Sequence, residues 1–268
     1  MNGHGGASER AARMSRTDLV EAAEQILKPI QQFSRGWMLD RSTAEFGVSL
    51  GFRDGEEYWI VGRAGALGDV DPEIAAAALA FIAPDAVREA WEHIPVGMTP
   101  SQVTATYALR CTGWGSGALS EFDPARMERL DRLGRQVADG ASPALGVLFA
   151  AWRSVAQPDD VGARATLTMN VLREMRGAAH IVAVQACGLT PVEAILASPA
   201  PPPRSGPAWA EHLGWPGPYR DADEVRAARI DAERLTTQIV AAHLAVLSPD
   251  ELADFAELVE TTRNSINM

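Results

Sequence analysis

The stretch Asp160–Gly188, DVGARATLTMNVLREMRGAAHIVAVQACG, constrains the fold of this chain more than any other. Val161, Leu167, Val171, Leu172, Met175, Ala179, Val182 and Cys187 recur at helical spacing, and small residues fill most of the gaps between them. A helix that is apolar nearly all round belongs inside a protein, with other elements packed against several of its sides. At about 1.5 Å per residue it runs roughly 40 Å, most of the width of a domain. Gly188 stands where a helix of this length ends in a left-handed cap. Arg173, Glu174, Arg176 and His180 sit within the apolar run and form the densest set of reactive side chains in the sequence.

The rest of the chain reads as further helices. Asp71-Pro72, Thr99-Pro100, Asp123-Pro124, Thr190-Pro191 and Ser248-Pro249 each place a side-chain acceptor before a proline ring, which needs no amide partner in a first turn. Thr99 with Gln102, Thr190 with Glu193 and Ser248 with Glu251 continue as capping boxes. The periodicity predicts helices over 17–34 (bent at Pro29), from Ser42 to near Gly51, and over 72–82, 84–94, 100–112, 124–139, 142–155, 190–198, 221–246 and 249–265. No alternating apolar run is long enough for a core strand. The expected fold is all-α, a multi-helix bundle around the long central helix. Three segments are expected: a disordered tail at 1–16, an N-terminal helical domain at 17–158, and a C-terminal region at 159–268. The proline content of 198–219, SPAPPPRSGPAWAEHLGWPGPY, predicts irregular chain there, with no more than a turn around Trp209–Leu213. Trp209 and Trp215 in that loop are candidates for an exposed lid or partner surface.

Charge narrows the function classes. Lys28 is the only lysine and the chain carries a formal net charge of −11, so its surface repels DNA unless a local basic patch intervenes. Residues 221–268, with ten acidic and four basic side chains, supply no such patch. The first 16 residues lack a signal-peptide core, and no apolar run reaches the roughly 18 residues that span a bilayer, which points to a cytoplasmic protein. Cys111 and Cys187 lie in apolar helical patterns and read as reduced thiols. His4, His93, His180, His212 and His243 are scattered without metal-ligand spacing, and Gly62, Gly65 and Gly68 match no phosphate loop, so neither metal nor cofactor is expected.

Helical spacing lets Arg173, Arg176 and His180 share one face. Such a face clamps a carboxylate or phosphate, with His180 as the acid or base and Glu174, Arg63 and Trp59 at the border of the same pocket. A structural alternative stands beside it, in which Glu174 pairs with a neighbouring arginine and His180 is a satisfied core residue. Trp37, Trp59, Trp91, Trp114 and Trp152 fall at helix positions and read as core.

The segment 146–180 resembles an actinobacterial family of MarR-like helix-turn-helix proteins of unknown function. The resemblance is carried by Gly146, Leu148, Phe149, Ala150 and Ala151, by Pro158, Asp159 and Asp160, and by the block Leu172, Arg173, Glu174, Arg176, Gly177 and His180. YWIVGRAGALGD at 58–69 and Phe81, Pro84, Val87 and Trp91 extend it toward the amino terminus. Met175 and Ala178 replace a histidine and an aspartate of the family pattern. The proline-rich segment stands where the pattern has a recognition helix and a wing, so the resemblance implies a degenerate winged helix. It also implies a homodimer paired through the closing helices, whose apolar Val225, Ile230, Leu235, Ile239, Val246, Leu252, Phe255, Leu258 and Val259 exceed what a peripheral hairpin needs. The expectation from these observations is a small-molecule-binding helical protein that does not bind nucleic acid. A MarR-like transcriptional regulator and an enzyme using His180 on an anionic substrate are the alternatives.

Overall fold

The Asp160 side chain accepts a hydrogen bond from the Ala163 amide (2.8 Å) and so starts the central helix, here α9, Val161–Ala186. Gly188, with φ +71°, turns the chain away just beyond its end. A computed structural model describes residues 14–198 and 205–266, and among these it contains thirteen α-helices and no strand. Before α9 come α1 (Arg16–Met38), α2 (Arg41–Leu50), α3 (Gly55–Ala64), α4 (Pro72–Leu79), α5 (Pro84–Glu92), α6 (Pro100–Ala118), α7 (Pro124–Gly140) and α8 (Val147–Arg153). After it come α10 (Pro191–Leu196), α11 (Gly206–His212), α12 (Ala222–Leu244) and α13 (Pro249–Asn264). The all-α reading holds.

Helix α9 is enclosed by α1, α6, α7, α8 and α12. Small residues let two of these come close. A Cβ on Gly115 of α6 would lie 2.5 Å from Thr166 Cβ, and one on Gly134 of α7 would lie 2.7 Å from Thr168 Cγ2. Three glycines at 113, 115 and 117 weaken helix propensity, which is why the pattern predicted an end at 112. The helix nevertheless continues to Ala118, because Cys111 and Gly115 are buried against α9. Helix α1 likewise outruns its predicted end at 34, since Trp37 and Met38 are buried. Asp54 accepts from the Glu56 and Glu57 amides and opens α3, a helix that the pattern of apolar residues left unassigned.

The first and last helices meet. Leu19, Ala23, Ile26, Ile30 and Phe33 form one buried stripe on α1, and α1 packs against α12 and α13 as well as α9. Val225, Leu252, Phe255, Leu258 and Val259, cited above for pairing with a second copy, are buried within the protomer, whereas Ile230 is 63% exposed. Beside the apolar seam of α7 and α13, Arg126, Arg129 and Arg132 pair with Glu257, Asp254 and Glu251 at 3.4, 2.6 and 3.9 Å. Each such surface pair stabilises by at most about 1 kcal/mol.

Residues 1–13 of the expected disordered tail lie outside the described residues, while Ser15 and Arg16 are the cap and first residue of α1. Residues 199–204 of the proline-rich segment also lie outside them. The remainder is more regular than composition suggests. Ser205 accepts from the Ala208 amide (3.3 Å) to start α11, where only a turn was expected. Trp215 Nε1 donates to the Phe81 carbonyl at 2.9 Å and Trp209 is half-buried, so these indoles brace the loop against the body instead of forming an exposed lid. No described helix is long and apolar enough to cross a membrane.

Candidate functional site

The structure divides the charged block of α9 between two clusters. Arg173 is paired with Glu174, Arg176 with Glu233 and His180 with Thr236, so the three side chains expected to clamp one anion are each engaged by a protein partner.

The first cluster faces α3 and α6. Arg63 of α3 reaches Glu174 with two parallel bonds, Nε to Oε1 at 2.8 Å and Nη2 to Oε2 at 2.9 Å. Arg173 Nη1 donates to the same Oε1 at 2.7 Å. The Trp152 indole holds the Arg63 carbonyl (3.0 Å), and the Arg63 guanidinium lies 5.7 Å from the centre of the Trp59 ring. Burial alone would raise the Glu174 carboxyl, but the two guanidiniums outweigh it and keep it below the usual range. Burial, reinforced by the Arg63 charge, pushes Arg173 down to about 10. Tyr107 of α6, fully buried between Trp37 and Trp152, has its phenol pushed well up by burial. Arg63 therefore meets the central helix through Glu174, and Trp59 flanks Arg63.

The second cluster faces α12. Arg176 Nη2 and Arg229 Nη2 hold the two oxygens of Glu233, each at 2.6 Å. The carboxamide oxygen of Gln31, in the orientation its neighbours require, accepts from Arg176 at 3.0 Å. Thr236 commits its hydroxyl proton to the Ala232 carbonyl (2.7 Å), so it accepts from His180 Nδ1–H at 2.9 Å. His180 Nε2 is then the acceptor nitrogen, 4.0 Å from Glu233, while Phe81 stacks on the ring at 5.3 Å. Burial, aided by Arg176, pushes the imidazole down to about 3, against the opposing pull of Glu233. His180 is a neutral, hydrogen-bonded interior residue. Arg229 also donates to the Ala194 carbonyl (3.1 Å) and to Ser198 Oγ (2.9 Å), which ties this cluster to α10.

Two cavities lie elsewhere. One of about 70 Å³ is lined by Arg135, Asp139, Arg153, Gln157, Thr168 and neighbours, and one of about 10 Å³ is apolar, between α1 and α9. Neither is lined by His180, Arg173 or Arg176. Among the described residues no group of three or more His, Cys, Asp and Glu side chains is placed to hold a metal. Both cysteines are free.

Sequence reasoning missed Arg229, Glu233 and Thr236. Their spacing of four and three puts them on one face of α12 beside the apolar Ala232, a signal that was present in the sequence. Trp37 was read as plain core, and Tyr107 was not singled out.

A buried central helix is followed by α10 and α11, which pack against each other, with residues 199–204 of their connection outside the described residues. The Helix-turn-helix family matches residues 20–267, and the chain belongs to that family. No curated protein and no solved structure matches it. Family membership overturns the expectation of a small-molecule binder that makes no contact with nucleic acid. That expectation rested on a net charge of −11 and on the absence of an obvious recognition helix. Net charge is a sum over the whole surface and does not fix the chemistry of one local face, and the proline-rich segment does contain a helix, α11.

Proposed function

We propose that this protein is a transcriptional regulator of the helix-turn-helix class that binds duplex DNA, MarR-like in the arrangement of its second half. The match of the family across residues 20–267 carries the reading. In it, α10 is the first helix of the reading pair and α11 the second. Pro207, Ala208 and Glu211 are exposed on α11 and face outward, while Ala210 anchors it to the body. Recognition helices present their early residues to base edges in the major groove. The acidity of the chain bounds the mode of binding. Few phosphates are neutralised, so the salt dependence is shallow, with a slope of about −0.9 for each phosphate contacted.

The test is selection of duplexes from a random library by the full chain, followed by titration of the enriched sequence at about 50 and 150 mM salt. Enrichment of a defined motif is expected, with binding at 150 mM salt that resists competitor. Ala208→Glu should abolish it and leave the melting temperature unchanged. A library that emerges unenriched, with no binding at either salt concentration, would remove this reading.

A further inference from the structure

Arg63, Arg164, Arg173, Arg176 and Arg229 lie on or against α9, and each has a carboxylate within 3.5 Å. Arg135 of α7 and Arg153 of α8 have no acidic partner among the described residues, and both line the cavity of about 70 Å³ between α7, α8 and α9. Arg153 is held in place there. Its Nη1 donates to the Ala138 and Ala141 carbonyls at the end of α7 (3.0 and 2.8 Å), and its guanidinium lies 5.3 Å from the centre of the Phe149 ring. Thr168 and Val171, both buried on α9, form the inner wall. Asp131 accepts the Thr168 hydroxyl proton at 2.6 Å and faces Arg164 at 3.5 Å, so those two charges are already matched within the protein. Arg135 and Asp139, four residues apart on α7, are exposed and mark the open side. Gln157 completes the lining, and its amide oxygen is buried without a hydrogen-bond partner.

The lining carries both signs of charge. Two guanidiniums pair with a carboxylate through their forked N–H groups. Asp139 and the Gln157 oxygen accept from an N–H donor. A simple acid would leave the Asp139 charge opposed, and a simple amine would meet two guanidiniums. A molecule with a carboxylate and an ammonium on one carbon satisfies every group. Size agrees with this chemistry. A cavity of about 150 Å³ takes up benzene and a single water needs only about 10–15 Å³, so the space suits a few heavy atoms, with anything larger left at the open side.

We propose that this cavity binds the zwitterionic head group of a free amino acid, with its carboxylate on Arg135 and Arg153 and its ammonium on Asp139 and Gln157. The side chain of the amino acid points to solvent between Arg135 and Asp139. The site shares no residue with α10 or α11 and stands or falls independently of DNA binding.

The experiment titrates the full chain by calorimetry with glycine, L-alanine and larger L-amino acids at constant ionic strength. Acetate and methylamine, each carrying one half of the head group, are titrated beside them. At least one amino acid should bind saturably and raise the melting temperature by roughly 3–5 °C at ten times its dissociation constant. Acetate and methylamine should each bind at least about tenfold more weakly, because each leaves one set of charged groups unpaired. Arg135→Gln and Asp139→Asn change exposed side chains, so the fold and the melting temperature without ligand should persist, while the affinity for the amino acid falls about tenfold or more. Arg132→Gln, on the neighbouring exposed surface of α7, should bind as the wild type does. Absence of binding by every amino acid, acetate binding as tightly as the best amino acid, or wild-type affinity in both Arg135→Gln and Asp139→Asn would overturn the proposal.

Discussion

His180 shows how a single side chain couples this fold to pH. A histidine in an unfolded chain titrates near 6.5, whereas burial beside Arg176 holds His180 down to about 3 in the folded protein. The unfolded chain therefore takes up this proton first, so stability is full above pH 6.5 and falls as pH drops from 6.5 toward 3. Between pH 7 and pH 5 the loss from this residue is about 2 kcal/mol. His180→Gln should keep the hydrogen bond to Thr236, leave stability at pH 7 within about 1 kcal/mol, and flatten the loss between pH 7 and 5 in denaturant titrations. Equal losses in the two proteins would show that the imidazole is not the group responsible. Glu233 acts in a lower window, since it is pushed down to about 2 and its contribution disappears only as pH falls below 4.5. The residue types of the α9 block were legible in the sequence, and Glu174 does pair with neighbouring arginines. What the sequence hid is the choice of partner. Arg63 is 111 positions from Glu174 and Thr236 is 56 from His180, and no local spacing rule reaches that far.

At the scale of elements, boundaries set by side-chain caps were legible and those set by tertiary burial were not. Thr99, Thr190 and Ser248 cap α6, α10 and α13 through the boxes read from the sequence. The end of α6 was missed because three glycines argue locally against a helix, while the contact with α9 that requires one of them is invisible in a single sequence. Two of these glycines make opposite predictions. A methyl group on Gly115 runs into Thr166, so Gly115→Ala should destabilise by about 1–3 kcal/mol. Gly113 is exposed with no atom within 4 Å of a built Cβ, so Gly113→Ala should stabilise by up to about 1 kcal/mol through reduced freedom of the unfolded chain. Melting temperatures should move in opposite directions, by roughly 2–4 °C per kcal/mol at this size. Two shifts of the same sign would mean that α6 and α9 are not packed at Gly115.

Over the described residues the main apolar core runs from Leu19 on α1 to Val259 on α13, and a smaller cluster of Ala183, Val184, Leu189, Ala194, Val225 and Ala232 joins the end of α9 to α10 and α12. Phe255 is almost completely buried and lies beside Gly134 of α7. Phe255→Ala should cost about 3–5 kcal/mol. The tryptophans nearest the amino terminus should report this loss together with the helices at the other end, giving one unfolding midpoint by fluorescence and by circular dichroism. Separate midpoints would show that the core is divided. The seat of α1 against α12 and α13 also bears on how the protein is made. The apolar stripe of α1 leaves the ribosome early, and its final partners are synthesised about 200 residues later, an interval on the order of 10–40 s at ordinary rates of translation. For that time the face of α1 that α12 and α13 will cover is a hydrophobic surface awaiting closure, and the native topology is completed only when those two helices arrive.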